Sequence, residues 1–232
     1  MLTAGPLVGS LARIPFFAGL DQPALERVAA GTRTRRFRRG EIVFHAGDPG
    51  DALFIIVSGE VKIALPSEEG DEAILATLGP GDVFGELALL DGAPRSATAS
   101  ALVATEAVVL PRDRFRELIA TEPAVRDTLL ASLAAELRRL TTHVEELHFL
   151  DMTGRLAARI VRLAREADAA GPDGSIRLRH TLTQAELASM VGCTRQSVNK
   201  LLGQFADDGL LRVDREGIRV LDLDGLVAAS RR

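Results

Sequence analysis

The stretch FGELALLDGAPRSAT, residues Phe84–Thr98, places two opposite charges, Glu86 and Arg95, in a short and largely apolar run. Charges brought into apolar surroundings lose their hydration, and that cost calls for a partner. Gly85 lets another group approach the backbone closely, and the small Ala88 leaves room beside it. A surface turn would carry a Glu and an Arg without needing this combination. A ligand accounts for it.

The flanking sequence is built of short β-branched or aromatic runs: Ile42–Phe44, Leu53–Val57, Val61–Ala64, Ile74–Leu78, Val83–Phe84 and Val103–Leu110. Gly40, Gly47, Gly50, Gly59, Gly70, Gly79, Gly81 and Gly92 separate them. Short runs punctuated by glycine in this way predict an all-β barrel or roll from about Thr32 to Leu110. In that setting, Gly-Glu-Leu-Ala-Leu followed by Pro-Arg-Ser-Ala resembles the phosphate-binding cassette of the cyclic nucleotide-binding β-roll. The resemblance implies that Arg95 pairs with the cyclic phosphate and Ser96 donates to it. Backbone amides of Gly85, Glu86, Leu87 and Ala88 would help, and Glu86 would accept from the ribose 2′-hydroxyl. The chemistry agrees, since a planar guanidinium meets a phosphate bidentately and a carboxylate suits a hydroxyl donor.

Helices are expected on either side of the roll. Residues 12–31 have a helical rhythm at Ile14, Phe16, Phe17, Leu20, Leu25 and Val28. Pro111–Thr121 reads as a short helix, and a long one starts near Pro123. Along it, Leu130, Leu133, Leu137, Leu140, Val144 and Leu147 are spaced 3, 4, 3, 4, 3. So narrow a seam predicts a partner helix, hence a parallel homodimer. FLDMTGR, residues 149–155, resembles the hinge of the cyclic-AMP receptor protein family, with Asp151 or Thr153 as cap of the next helix. Leu156, Ile160, Val161 and Leu163 supply that helix's core face.

Near the C-terminus, Thr183-Gln184-Ala185-Glu186 fits a capping box, and Gly192-Cys193-Thr194 is a three-residue turn into a second helix capped by Thr194. This is helix-turn-helix spacing. Val198, Leu201, Leu202 and Phe205 face inward, which leaves Arg195, Gln196, Asn199 and Lys200 outward. Arg195 and Gln196 are the candidate base readers, and Lys200 reaches a second guanine or a phosphate. Thr183, Thr194, Ser197 and Asn199 complete the DNA-binding set, with phosphate as partner for Thr183, Ser197 and Asn199. Leu210–Val213 and Ile218–Leu221 flank a wing in which Arg212, Arg215 and Arg219 could meet the backbone. The run TQAELASMVGCTRQSVNKLLGQFADDGLL resembles the winged helix-turn-helix of the cyclic-AMP receptor protein and fumarate-nitrate regulator family.

That resemblance, from about residue 14 to 225, implies an α+β protein in three parts. Residues 1–122 would form a jelly-roll-like cyclic nucleotide-binding β-roll, 123–150 the dimerisation helix and 151–232 the winged helix-turn-helix domain. It implies a transcription regulator with cyclic AMP or another cyclic nucleotide as effector and no metal. Double-stranded DNA with a near-palindromic operator, a second copy of the chain and RNA polymerase would be its partners. Two departures from the cyclic-AMP receptor stand out. Gln196 replaces a Glu, which shifts the expected base from cytosine toward adenine. Leu140 and Thr141 fall where a Thr-Ser pair contacts adenine, so one polar contact becomes a leucine.

Composition fits this reading. The 232 residues are 47% apolar and 26% charged, with a net charge of −4. Residues 1–150 hold 15 Lys/Arg against 21 Asp/Glu, whereas 151–232 hold 13 against 11, so the reading domain is the basic one. No apolar run approaches the ~18–20 residues of a membrane span, and no leader pattern opens the chain, so a cytoplasmic protein is expected. The single Cys193 argues against an iron–sulfur sensor, and His45, His143, His148 and His180 are the only imidazoles for haem. No Ser-His-Asp, Cys-His or phosphate-loop spacing suggests an enzyme. The alternative within the same fold is a constitutive DNA binder whose pocket is vestigial or takes another anion.

Overall fold

The structure, a computed structural model, describes residues 4–67, 72–166, 171, 173–178, 182–214 and 217–231. Gly70, His180 and Arg215, each used in the sequence reading, lie outside the described residues. The chain separates into two compact units, residues 1–136 and 137–232, and the cut falls within the longest helix. Among the described residues no helix is long and apolar enough to cross a membrane.

The first unit opens with α1 (Ala4–Leu11), a single 3-10 turn (Pro15–Phe17) and α2 (Gln22–Ala30). The rhythm of residues 12–31 is thus not one helix. Pro15 and Pro23 each begin a new turn, where a missing N–H costs nothing, and Asp21 caps α2 by accepting from the Ala24 N–H at 2.8 Å. The strands follow: β1 (Arg33–Phe37), β2 (Ile42–Phe44), β3 (Ala52–Ser58), β4 (Val61–Pro66), β5 (Glu72–Leu78) and β6 (Val83–Phe84). A short helix α3 (Leu87–Leu90) separates them from β7 (Thr98–Ala101) and β8 (Thr105–Pro111). Helices α4 (Arg112–Thr121) and α5 (Pro123–Phe149) come next.

The strands form two antiparallel four-stranded sheets, ordered β1-β8-β3-β6 and β2-β7-β4-β5. Phe37, Phe54, Ile56, Val61, Phe84, Ala99 and Val109 belong to one core cluster. Leu53, Ile55, Val108 and Leu110 point the other way, into a second cluster with Phe16, Phe17, Leu25, Phe115, Leu118, Val125 and Leu129. Strand β3 is therefore covered on both faces, and its sequence is continuously apolar instead of alternating. Each such side chain contributes about 1.5–3 kcal/mol by leaving water. The long helix divides its apolar residues. Val125 and Leu129 are buried on the first unit and Leu133 is partly buried there, while Leu130, Leu137, Leu140, Val144 and Leu147 are exposed, Leu137 to 66%.

The second unit continues from α5 through α6 (Met152–Arg165), β9 (Ile176–Arg177), α7 (Gln184–Val191), α8 (Arg195–Asp207), β10 (Leu211–Asp214), β11 (Gly217–Val220) and α9 (Leu223–Ala229). Asp151, not Thr153, caps α6, accepting from the Gly154 N–H at 2.8 Å. Leu156, Ile160, Val161 and Leu163 are buried, and α6 packs on α7 and α9. Arg162 of α6 pairs with Glu146 near the end of α5. The wing is the antiparallel pair β10–β11, and β9 adds a third strand that the sequence reading lacks.

A buried hydroxyl closes the hairpin-like return between β3 and β4. Thr105 Oγ1 accepts from the Glu60 N–H at 2.9 Å and donates to the carbonyl of Glu60 (2.9 Å) or Val103 (3.0 Å). Gly59 beside it has φ +86°, and a Cβ there would lie 2.4 Å from the Ala104 carbonyl oxygen. Thr105→Val keeps the shape but leaves the Glu60 N–H without its acceptor, and should cost about 1–3 kcal/mol. Urea unfolding followed by circular dichroism measures this, as the chain has no Trp or Tyr. An unchanged midpoint would refute the assignment.

Candidate functional site

Arg95 is 3% exposed and folds inward beneath the cassette. Its Nη1 donates to the Gly85 carbonyl at 2.6 Å, and its Nη2 donates to the Ala52 carbonyl at 2.7 Å and to Asp51 Oδ1 at 3.2 Å. The guanidinium lies 4.3 Å from the Phe44 ring centroid, where a cation is attracted by the ring face. Its Nε is buried with no hydrogen-bond partner. Burial pulls this guanidinium below the ordinary arginine value, against the opposing pull of Asp51.

Gly85 has φ +82°, and a Cβ built on it would lie 2.5 Å from Arg95 Nη1. The space that glycine leaves is thus filled by Arg95. Ala88 is buried in the same way: a Cβ on Gly50 would fall 2.4 Å from the Ala88 Cβ. Arg112, at the start of α4, fastens the two segments. Its Nε donates to the Gly50 carbonyl at 2.8 Å, and its Nη2 donates to Gly50 and, at 3.2 Å, to the Ala88 carbonyl. The loop before β3 also pairs with the Arg95 backbone, whose N–H donates to the Asp48 carbonyl and whose carbonyl accepts from the Gly47 N–H, both at 2.8 Å. Sequence reasoning missed Asp51 and Arg112. The turn signal Gly47-Asp48-Pro49-Gly50-Asp51 was the available clue to the first; nothing marked the second.

Gly85, Glu86, Leu87, Ala88 and Arg95 therefore share one site, with Leu87 exposed on α3 and Ser96 exposed beyond Arg95. Glu86 is half-buried, and its carbonyl accepts from the Leu89 and Leu90 N–H groups. Its carboxyl is held above the ordinary carboxylate value, chiefly by burial and further by Glu136, against its own backbone hydrogen bond and Arg95. Leu140 and Thr141 belong to the second unit. The Thr141 hydroxyl donates to the Leu137 carbonyl of its own helix at 3.0 Å.

On the second unit the capping box is formed in full. The Thr183 N–H donates to Glu186 Oε2 at 2.7 Å and the Glu186 N–H donates to Thr183 Oγ1 at 3.1 Å. Gly192 ends α7 in the left-handed region, φ +71°. Thr194 Oγ1 accepts from the Ser197 N–H at 3.2 Å, and the two hydroxyls are 3.0 Å apart. Val198, Leu201, Leu202 and Phe205 are buried, while Arg195, Gln196, Asn199 and Lys200 are exposed. An open cleft is lined by Gln184, Thr194, Arg195, Gln196 and Asn199. Of the wing arginines, Arg212 is exposed, whereas Arg219 pairs with Asp173 at 3.8 Å and reaches Ser175 Oγ at 3.5 Å.

Two family models match the chain: the cyclic nucleotide-binding domain over residues 34–122 and the Crp-like helix-turn-helix domain over 154–229. A CRP-like cAMP-activated global transcriptional regulator of Mycobacterium tuberculosis is 37% identical over 221 residues, 95% of this chain and 98% of that protein. The chain belongs to the CRP/FNR family of transcription regulators. Its family relatives are DNA-binding regulators, not enzymes. A solved CRP/FNR-family regulator from Thermus thermophilus is 30% identical at TM-score 0.70, with 86% of this chain and 99% of that one covered. The c-di-GMP responsive regulator CLP of Xanthomonas campestris is 27% identical at TM-score 0.74, with 86% and 99% covered. The first family match runs from β1 to α4 and holds the whole Arg95 cluster; the second runs from α6 to α9 and holds the exposed face of α8.

The raised Glu86 carboxyl has a stability consequence. The folded protein keeps this proton to higher pH than the unfolded chain does, so its contribution is full below the unfolded value and is lost as pH rises through the folded value. Glu86→Gln removes the titration. The variant should be more stable than the parent near neutral pH, and the gap should close below the ordinary carboxylate range. Urea unfolding at several pH values checks it, and a pH-independent gap would count against a strained carboxylate.

Proposed function

We propose that this regulator is a homodimer that binds a near-palindromic operator under control of a cyclic nucleotide, cyclic AMP, held in the first unit. The observation that carries the effector reading is Arg95, a deeply buried guanidinium whose Nε has no partner. An anion with several acceptor oxygens satisfies such a group. Arg95 would bind the cyclic phosphate with Ser96 and the amides of Gly85–Ala88, and Glu86 would accept from the 2′-hydroxyl. Cyclic AMP is favoured because the regulator sharing 37% identity is named as cAMP-activated, while the c-di-GMP responsive neighbour shares 27%. Leu140 would pack on the base without offering its amine an acceptor, leaving that contact to Thr141 or water.

In this reading residues 1–122 sense, 123–150 dimerise and 151–232 read DNA. Arg195 and Gln196 contact bases, with Lys200 at a guanine or phosphate and Thr183, Thr194, Ser197 and Asn199 along the backbone. The regulator works in the cytoplasm and meets RNA polymerase at its promoters. The second reading, constitutive DNA binding with an unused pocket, is favoured by one feature: Arg95 already holds Gly85, Ala52 and Asp51.

Calorimetric titration with cyclic AMP separates the two. The parent should bind, and Arg95→Leu, checked for folding by circular dichroism, should lose about thirtyfold or more in affinity, as expected for a desolvated charge-assisted contact of about 2–5 kcal/mol. A folded Arg95→Leu binding as tightly as the parent would sink the assignment; no binding by the parent would leave the second reading.

The dimer is supported by the exposed Leu130, Leu137, Leu140, Val144 and Leu147 stripe on α5. Leu133 also lies on this seam but packs partly on the first unit, so substituting it would disturb more than an interface. Leu137→Glu with Val144→Glu places four carboxylates in the seam, where burying them is prohibitive. Sedimentation should show a monomer with an unchanged circular dichroism spectrum; an intact dimer would put the interface elsewhere.

A further inference from the structure

We infer that Gln184 is a positioning residue for DNA reading, which locks the Asn199 side chain so that it faces the duplex as a hydrogen-bond donor. This rests on the proposed role of α8 as the reading helix. Gln184 Nε2 donates to Asn199 Oδ1 at 3.1 Å, linking the first residue of α7 to the second turn of α8. The backbone is held at both ends. The Thr183–Glu186 capping box holds the backbone just before Gln184, and Asn199 stands between the buried Val198 and the buried Leu201–Leu202 pair. Both amides line the cleft shared with Thr194, Arg195 and Gln196, and both line a second cleft that extends to Arg212 and Arg219 of the wing. The pair is common to the two clefts.

An asparagine free to rotate presents a donor and an acceptor side by side, the arrangement that matches adenine N6 and N7. Turning Oδ1 toward α7 directs Nδ2 away from it. Asn199 then offers N–H groups outward, and its partner must be an acceptor: a phosphate oxygen, or guanine O6 or N7. Gln184 sets that chemistry without itself having to touch the duplex.

The test uses the full-length protein with cyclic AMP, first in a selection from randomised duplexes and then in affinity measurements on the selected duplex. Gln184→Glu supplies only acceptors, so Asn199 must turn its Nδ2 inward and its oxygen outward. The added negative charge weakens binding with or without Asn199, so the same change is made in an Asn199→Ala background. Gln184→Glu should cost about tenfold more affinity when Asn199 is present than when it is absent, the size of a lost hydrogen bond plus an acceptor left facing an acceptor. Gln184→Met, which frees the amide without adding charge, should leave the thermal midpoint unchanged and widen tolerance for adenine where Asn199 meets a base. Asn199→Ala alone identifies the acceptor: equal loss on all duplexes marks a phosphate, loss at one base pair marks guanine. Equal costs of Gln184→Glu in both backgrounds, or an Asn199-dependent preference for adenine in the parent, would overturn the inference. Failure of the parent to enrich any duplex would instead overturn the DNA-reading role of α8.

Discussion

A buried cation governs the first unit. Arg95 sits under the cassette with hydrogen bonds to the Gly85 and Ala52 carbonyls, one at each of two chain segments that the sequence keeps far apart. Leaving such a charge unpaired would be costly, so these segments must stay where their carbonyls point at it. Glycine at 85 follows, because a side chain would strike the guanidinium. The turn at Gly47–Asp51 follows too, since it pairs with the Arg95 backbone and supplies Asp51. Arg112 repeats the device one layer on, tying Gly50 to Ala88. In the proposed function, recognition of an anion and integrity of the roll share this one guanidinium.

Much of this was legible in the sequence, and the failures have physical causes. Strands with large apolar side chains announced themselves, whereas β1 and β7 did not. Arg33–Phe37 places a single side chain, Phe37, in the core, and Thr98–Ala101 fills a tight space with small residues that carry no pattern. The cassette residues stood out because glycine, glutamate and arginine are conspicuous in apolar surroundings. What could not be read was the direction in which Arg95 turns. That depends on carbonyls from Ala52 and Gly85, and a backbone acceptor leaves no mark on residue identity.

The reading unit was clearer because its determinants are local. A capping box spans four residues, a left-handed glycine ends the helix it opens, and Thr194 starts the next. Such signals act within one turn of chain and survive translation from letters to structure. The Gln184–Asn199 bond crosses between helices fifteen residues apart, and only their packing reveals it.

The order of the first sheet leaves β1 at its edge, with one row of backbone groups unpaired by any neighbouring strand in that sheet. Such an edge is a template on which another copy of the chain could add a strand. Here the edge carries Arg33, Arg35 and Arg36, with Arg38 and Arg39 just beyond, all exposed in a protein of net negative charge. Arg35 and Arg36 pair with Glu41 and Glu106, at 3.6 and 2.9 Å, but two such edges brought together would still place the arginines of both copies side by side. The arginines that hide β1 from sequence patterning thus make this edge a poor template for a strand from a second copy.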